Sequence, residues 1–292
     1  MICFPNAKIN LGLNIVSKRA DGYHNLETVF YPIGLKDALE IVPSMVTEHS
    51  RSKSDEKYRF FQSGIPIQGN ATDNLVIKAL NLISEEKDIP SIDIHLLKKI
   101  PFGAGLGGGS ADAAFMLRLL NDTFQLEYTD ERLMQLAAKI GADCPFFIKN
   151  RPAFATGIGD ELEDIDVNLN DYSLVLVKPP VAVPTKEAYA MITPHQPDIS
   201  LKEIVKLPVS EWKSAMKNDF EVSVFKKYPE IDGIKNRLYE LGAIYAAMSG
   251  SGAAVFGIFR GGESMCSPKS VCLSEMEKYF TGCFVWGDKG LS

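Results

Sequence analysis

The stretch IPFGAGLGGGSADAA, Ile100 to Ala114, concentrates glycine between an apolar strand pattern and a helical one. Glycine has no Cβ, so a ligand can approach its backbone and neighbouring N–H groups can converge in conformations closed to other residues. At a helix start the first-turn N–H groups lack partners, and the macrodipole adds about half a positive charge. Strand, glycine loop and helix in that order make an anion cradle, most often for phosphate. A flexible connector is the plainer alternative, but such linkers do not usually join a good strand to a good helix. Lys98 and Lys99, at the strand end, place positive charge beside the loop; either is equally well a solvated face. Ser110 offers a hydroxyl to a phosphate or a metal-bound water, or is the N-cap of the helix.

Two common cradles fit poorly. No Gly-Lys-Ser/Thr follows the loop, so the Walker pattern fails. G-x-G-x-x-G matches at Gly103, Gly105 and Gly108. Yet the helix leads to a second helix rather than a parallel strand, and no ribose-binding acid ends a second strand. A dinucleotide-binding oxidoreductase is therefore the weaker alternative.

The elements that must carry the loop follow from periodicity. Ile9, Leu11, Leu13 and Ile15 alternate with Asn10, Gly12 and Asn14, which predicts a half-buried strand with Lys8 and Asn10 on one face. Ala20-Asp21-Gly22 reads as a turn, Leu26 to Ile33 and Leu39 to Val42 as strands, and Ser44 to Lys57 as a polar loop. Asn74 to Glu86 has helical spacing, with Thr72 or Asp73 as its start signal. Ile92 to Leu97 alternates as a strand, and the helix after the loop runs to about Asn121. Thr129 or Asp130 caps another helix, stopped by Gly141 as a left-handed residue. AFATGIGDEL reads as strand and turn.

An acidic stretch at residues 160–171 marks a boundary, dividing the chain into 1–165 and 166–292. Beyond it come a strand in YSLVLVKPP, a short helix from Thr185 to Ile192 and a polar linker at 193–200. Helix, strand, glycine turn and strand follow from Pro229, then a helix from Ser267 to Phe280 and a strand from Cys283 to Trp286. The fold class is α+β.

Composition narrows the partners. The 292 residues carry a net charge of -6, so the basic face of a nucleic-acid binder is not expected. A small anion needs only local positive potential. The five cysteines are odd in number and lack C-x-x-C spacing, which argues against a disulfide framework or zinc and for a reducing, cytoplasmic setting. The four histidines are scattered, so no local metal motif exists. No apolar run nears the ~20 residues that span a bilayer, and no signal pattern opens the chain.

PFGAGLGGGSADAA resembles the central motif of the GHMP kinase superfamily. PNAKINLGLNI resembles its first motif and MSGSGAAVF its third, in order and spacing that take in essentially the whole chain. RADGYHNL and GADCPFFI resemble the branch that phosphorylates a cytidine-diphosphate-linked sugar alcohol; a kinase for another small alcohol, of homoserine or mevalonate type, is the alternative. The resemblance implies a two-domain fold, with an N-terminal ribosomal-S5-domain-2-like domain that binds ATP and a C-terminal ferredoxin-like α/β-sandwich domain. It implies ATP as co-substrate, with Mg²⁺ arriving on ATP and held by phosphates and water, so no protein metal ligand is assigned. It implies a monomer or homodimer with small-molecule partners only, no nucleic acid and no membrane.

Phosphoryl transfer asks for alignment and charge compensation rather than covalent help. By resemblance, Pro101, Phe102, Gly103, Ala104, Gly105, Leu106, Gly107, Gly108, Gly109, Ser110 and Ala111 bind ATP, with Lys98 nearby. Asn74 lies near the adenine, or simply caps its helix. Asp143 and Lys8 are the catalytic candidates. A carboxylate can take or orient the proton of the attacking hydroxyl, and a lysine can hold it ionised and face the phosphate charge. Taken alone, Asp143 reads as a turn residue and Lys8 as a surface lysine; their meeting rests on the resemblance. Asn10 is assigned to the substrate polyol, Tyr23 to the cytosine face, His24 to its edge, Tyr189 to the opposing face and Thr185 to the substrate. Tyr189 is equally readable as a helix-face core residue. The turn Gly250-Ser251-Gly252 is expected under the loop, residues 156–160 beside the same site, and Cys144 in packing.

Overall fold

The computed structural model describes residues 1–44, 58–66, 70–189, 192–260 and 273–288. The polar stretch after Ser44, residues 190–191 of the expected 185–192 helix and the start of the expected 267–280 helix lie outside them.

The first half contains β1 (Ile2–Cys3), β2 (Asn6–Lys18), β3 (His24–Lys36), β4 (Ala38–Pro43), β5 (Tyr58–Gly64), α1 (Leu75–Ser84), β6 (Ile92–Lys98), α2 (Gly108–Phe124), α3 (Asp130–Ile140), α4 (Cys144–Lys149), β7 (Ala153–Thr156) and β8 (Glu161–Asp164). The second contains β9 (Tyr172–Lys178), α5 (Thr185–Ala188), α6 (Leu201–Ile204), α7 (Val209–Ala215), α8 (Phe220–Lys227), α9 (Pro229–Glu240), β10 (Tyr245–Met248), β11 (Val255–Arg260), α10 (Leu273–Tyr279) and β12 (Phe284–Gly287). Helices and largely antiparallel strands in this mixture are an α+β fold, as expected.

These elements form two compact units interleaved along the chain, whereas the boundary read near residue 165 divides it once. One unit comprises residues 1–7, 35–102 and 107–150. Its sheet has the order β1-β4-β6-β5, antiparallel except where β5 runs parallel to β6. Leu39, Ile41, Ile94 and Leu96 are buried on this sheet, and Ile77, Leu80, Leu117 and Leu120 on the helices. Both α1 and α3 start at side-chain caps. Asn74 Oδ1 accepts from Val76 N at 3.0 Å and Thr129 Oγ1 from Arg132 N at 3.3 Å, each leaving one fewer unpaired amide at the helix start.

The other unit comprises residues 8–34, 103–106 and 151–292. It holds a sheet in the order β2-β3-β7-β8 and an antiparallel sheet in the order β10-β11-β9-β12. Val175, Val177, Phe220, Val224, Leu238, Met248 and Val255 share a core with Leu13, Ile15 and Leu26.

Four local expectations change. Strand β2 is buried on both faces from Asn6 to Ile15, not half-buried. Its polar side chains find internal partners: Asn10 donates to Thr28 Oγ1 and Asn14 to Glu27 Oε1, both at 2.9 Å. Buried amides paired this way carry little penalty. Gly141 ends α3 in extended backbone, φ -178°, because the chain continues at once into α4 rather than reversing. The cap of α2 is Gly107, not Ser110, which lies inside the helix. Helices α6 to α8 fill residues 201–227, between the expected linker and Pro229, where no element was read.

Candidate active site

The phosphate-loop candidate is rigidly specified at its glycines. Gly103, Gly105 and Gly107 have φ of 61°, 72° and 68°, a region that glycine enters without steric cost. Left-handed residues alternating with ordinary ones are the backbone from which anion-binding nests are built. Gly105 is also forced by space, since a Cβ there would stand 1.9 Å from Ser249 O. The carbonyls of residues 104–106 are bound from within the unit. Ala104 O accepts from Ala254 N at 3.2 Å, Gly105 O from Ser249 Oγ at 2.8 Å, and Leu106 O from Lys8 N at 3.0 Å.

In the other unit, Gly107 begins α2 with no side-chain cap. The first-turn amides of this 17-residue helix are therefore not consumed by a capping side chain, which suits an anion. Gly108 packs so closely that a Cβ would meet Ile100 Cγ2 at 2.7 Å. Pro101, Ala104 and Leu106 are buried and Phe102 is exposed. The Ser110 hydroxyl bonds the Cys144 thiol, whose pKa burial pushes up to about 12; Cys144 is packed, as expected.

Lys98 is not a solvated lysine. Its ammonium is buried and paired with Asp37 and, at 2.7 Å, with Asp112. Asp37 Oδ1 also accepts from Lys99 N at 2.5 Å and Ile100 N at 2.9 Å. Lys98 thus acts on the loop through its stem: the same carboxylate that holds the lysine fixes the residues entering the glycines. Asn74 caps α1, the plainer of its two readings.

On the acceptor side, Lys8 is only 3% exposed, which overturns the surface reading. Its Nζ donates to Asn10 Oδ1 at 2.5 Å and lies 4.8 Å from the centre of the Phe30 ring. The shared strand face read from residue parity is therefore present. Asp143 lies half-buried between α3 and α4, in the other unit. It stands at the cap position of α4, yet its side chain makes no capping bond.

The aromatic candidates Tyr23, His24 and Tyr189 lie in one unit. Tyr23 is 61% exposed, on a turn where its N–H donates to Asp21 Oδ1 at 3.0 Å. Tyr189 is stacked by His24, with ring centres 4.8 Å apart and planes at 17°, and is met edge-on by Phe220 at 4.7 Å. His24 therefore lies against one face of the Tyr189 ring. Thr185 Oγ1 stands 3.4 Å from Ser251 Oγ, so the third glycine turn reaches a substrate-side candidate. Sequence reasoning missed Asn218, whose amide donates to Met248 O and Gly250 O, both at 2.8 Å. No periodic signal surrounds it. Among the described residues no group of three or more His, Cys, Asp or Glu could hold a metal.

The model of the GHMP kinases N terminal domain matches residues 74–151, and that of the GHMP kinases C terminal domain residues 200–264. A 4-diphosphocytidyl-2-C-methyl-D-erythritol kinase of Parabacteroides distasonis is 57% identical over 98% of both chains. The chain belongs to the 4-diphosphocytidyl-2-C-methyl-D-erythritol kinase family of GHMP kinases. A kinase of the same name from Bacteroides thetaiotaomicron is 54% identical over 89% of this chain and 92% of its own. The crystal structure of a 4-(cytidine 5'-diphospho)-2C-methyl-D-erythritol kinase superposes with a TM-score of 0.78 at 30% identity, covering 98% of both chains. The homoserine kinase of Cytophaga hutchinsonii shares the GHMP fold, with a TM-score of 0.62 at 17% identity over 98% of this chain and 94% of that one.

Proposed function

We propose that this chain transfers the γ-phosphoryl group of ATP to the 2-hydroxyl of 4-(cytidine 5'-diphospho)-2-C-methyl-D-erythritol, giving the 2-phosphate and ADP, in isoprenoid precursor synthesis. The observation that carries this is 57% identity over 98% of the chain to a kinase of that name. The loop at 101–111 binds the phosphates through backbone amides. Mg²⁺ would arrive bound to ATP and supply neutralisation of the phosphate charge. Asp143 takes or orients the proton of the 2-hydroxyl, Lys8 faces the phosphate charge, and Asn10 holds Lys8 and contacts the polyol. Tyr23, His24 and Tyr189 bind the cytosine, with Thr185 alongside.

The division into a nucleotide-side domain, 1–165, and a second domain, 166–292, belongs to the same proposal. It is supported by family matches lying on either side of it, at 74–151 and 200–264. The enzyme acts as a monomer or homodimer on small molecules, without nucleic acid or membrane. Among the described residues no helix is long and apolar enough to cross a bilayer. The free thiols of Cys3, Cys144 and Cys283 suit a reducing cytoplasm.

A coupled ADP-release assay should show turnover with the cytidine-diphosphate substrate and none with homoserine, mevalonate or galactose. Turnover with one of those three instead would defeat the proposal. Stacking a base on an aromatic ring contributes about 1–3 kcal/mol. Tyr23→Ala should therefore raise KM for the cytidine substrate roughly 5- to 150-fold while KM for ATP stays put. An unchanged substrate KM would remove Tyr23 from the base site.

A further inference from the structure

Ser249 precedes the third glycine turn and is fully buried. Its hydroxyl stands 3.5 Å from Asn10 Oδ1 and makes two shorter bonds of different kinds. It donates to the Gly105 carbonyl at 2.8 Å and accepts from Asn10 N at 3.2 Å. Gly105 is the middle left-handed glycine of the phosphate loop. Asn10 is the residue whose side chain holds the Lys8 ammonium. One oxygen therefore touches both the backbone that would carry the donor phosphates and the strand that would face the acceptor.

The surroundings leave this oxygen little freedom. Ser249 N donates to Ala254 O at 2.9 Å, and Gly252 N to Ser249 O at 3.0 Å. Asn218 clamps the carbonyls on either side, at Met248 and Gly250. Glu221 accepts from Met248 N at 2.9 Å. Gly105 is in contact with the same turn, so loop and strand are registered against one buried point.

We infer that Ser249 is a positioning residue for phosphoryl transfer, setting the phosphate loop at a fixed offset from the Lys8–Asn10 pair. The inference rests on the kinase reading above. A displacement of about 1 Å between reacting groups can cost on the order of 100-fold in rate. A loosened offset has a second consequence. Water then competes with the alcohol for the γ-phosphorus: its oxygen forms the new P–O bond, the bond to ADP breaks, and ADP, inorganic phosphate and a proton result.

The test is the ratio of ADP released to phosphorylated alcohol formed, which does not depend on how much of a variant is folded. The wild type should give a ratio near one. Ser249→Ala should lower kcat roughly 10- to 100-fold and raise the ratio above one. Ser249→Thr keeps the hydroxyl and should hold the ratio near one, whereas the isosteric Ser249→Val should not. If Ser249→Ala does not fold, Ser249→Cys, a weaker donor of similar size, should raise the ratio in its place. A ratio of one in the alanine, valine and cysteine variants alike would overturn the inference, whatever their kcat. A wild type that fails to phosphorylate the alcohol would instead sink the kinase reading.

Discussion

Asp143→Ala is expected to lower kcat by roughly 10²- to 10⁴-fold, the usual range for removing a positioned acid–base group, while ATP affinity changes little. Asp143 stands where a helix cap belongs, but the two caps that stabilise α1 and α3 use their side chains on backbone amides and Asp143 does not. Its half-buried side chain does not cap α4, and a thermal melt of the alanine variant separates a loss of chemistry from a loss of folding. Asp143→Asn separates two roles. If the group must take the proton, Asn should be as inactive as Ala; if it only orients the hydroxyl, Asn should keep a measurable part of the rate. Single-turnover ADP release together with calorimetric ATP titration reads both. Turnover within about threefold of wild type in the alanine variant would remove Asp143 from the mechanism.

Much of this site was legible because it is encoded locally. The strand–glycine–helix order at 92–124 needs only residue types, and three left-handed glycines at alternate positions confirm the density of Gly103, Gly105 and Gly107. Period-two alternation placed Lys8 and Asn10 together. It could not say that both faces of β2 are covered, because the polar residues that looked solvent-facing are paired across the sheet with Thr28 and Glu27. Lys98 shows the same limit. Beside Lys99 it reads as surface charge, and its partners Asp37 and Asp112 lie in other elements. The helices at 201–227 are three short pieces, too brief for a helical period to emerge, and Asn218 lies between two of them. Ser249 lies inside the third motif, but its bonds to residues 10 and 105 connect positions that no local pattern joins.

Lys98→Met is expected to destabilise the fold by about 3–5 kcal/mol, the cost of stranding buried charge when one partner of a buried pair is removed. The substitution keeps the aliphatic stem but leaves Asp37 and Asp112 without their shared cation. Asp37 retains its two backbone donors; Asp112 does not have that support, and its Oδ1 is already buried without a hydrogen bond. Burial pushes the Asp112 carboxyl up from 3.8 to about 8, with Lys98 opposing the rise and Asp37 adding to it. The folded state then keeps a proton that the unfolded chain releases. This group's contribution to stability should therefore fall as pH rises from about 4 towards 8. Asp112→Asn should flatten that part of the profile, and Lys98→Met should carry the slope to higher pH. The double variant should be less destabilised than the two singles added together, because Lys98 and Asp112 are direct partners in one buried cluster. Urea denaturation at several pH values measures all three. A Lys98→Met loss below about 1 kcal/mol would place the pair among weakly coupled surface bridges, and the stem of the phosphate loop would then be held by Asp37 and its backbone donors alone.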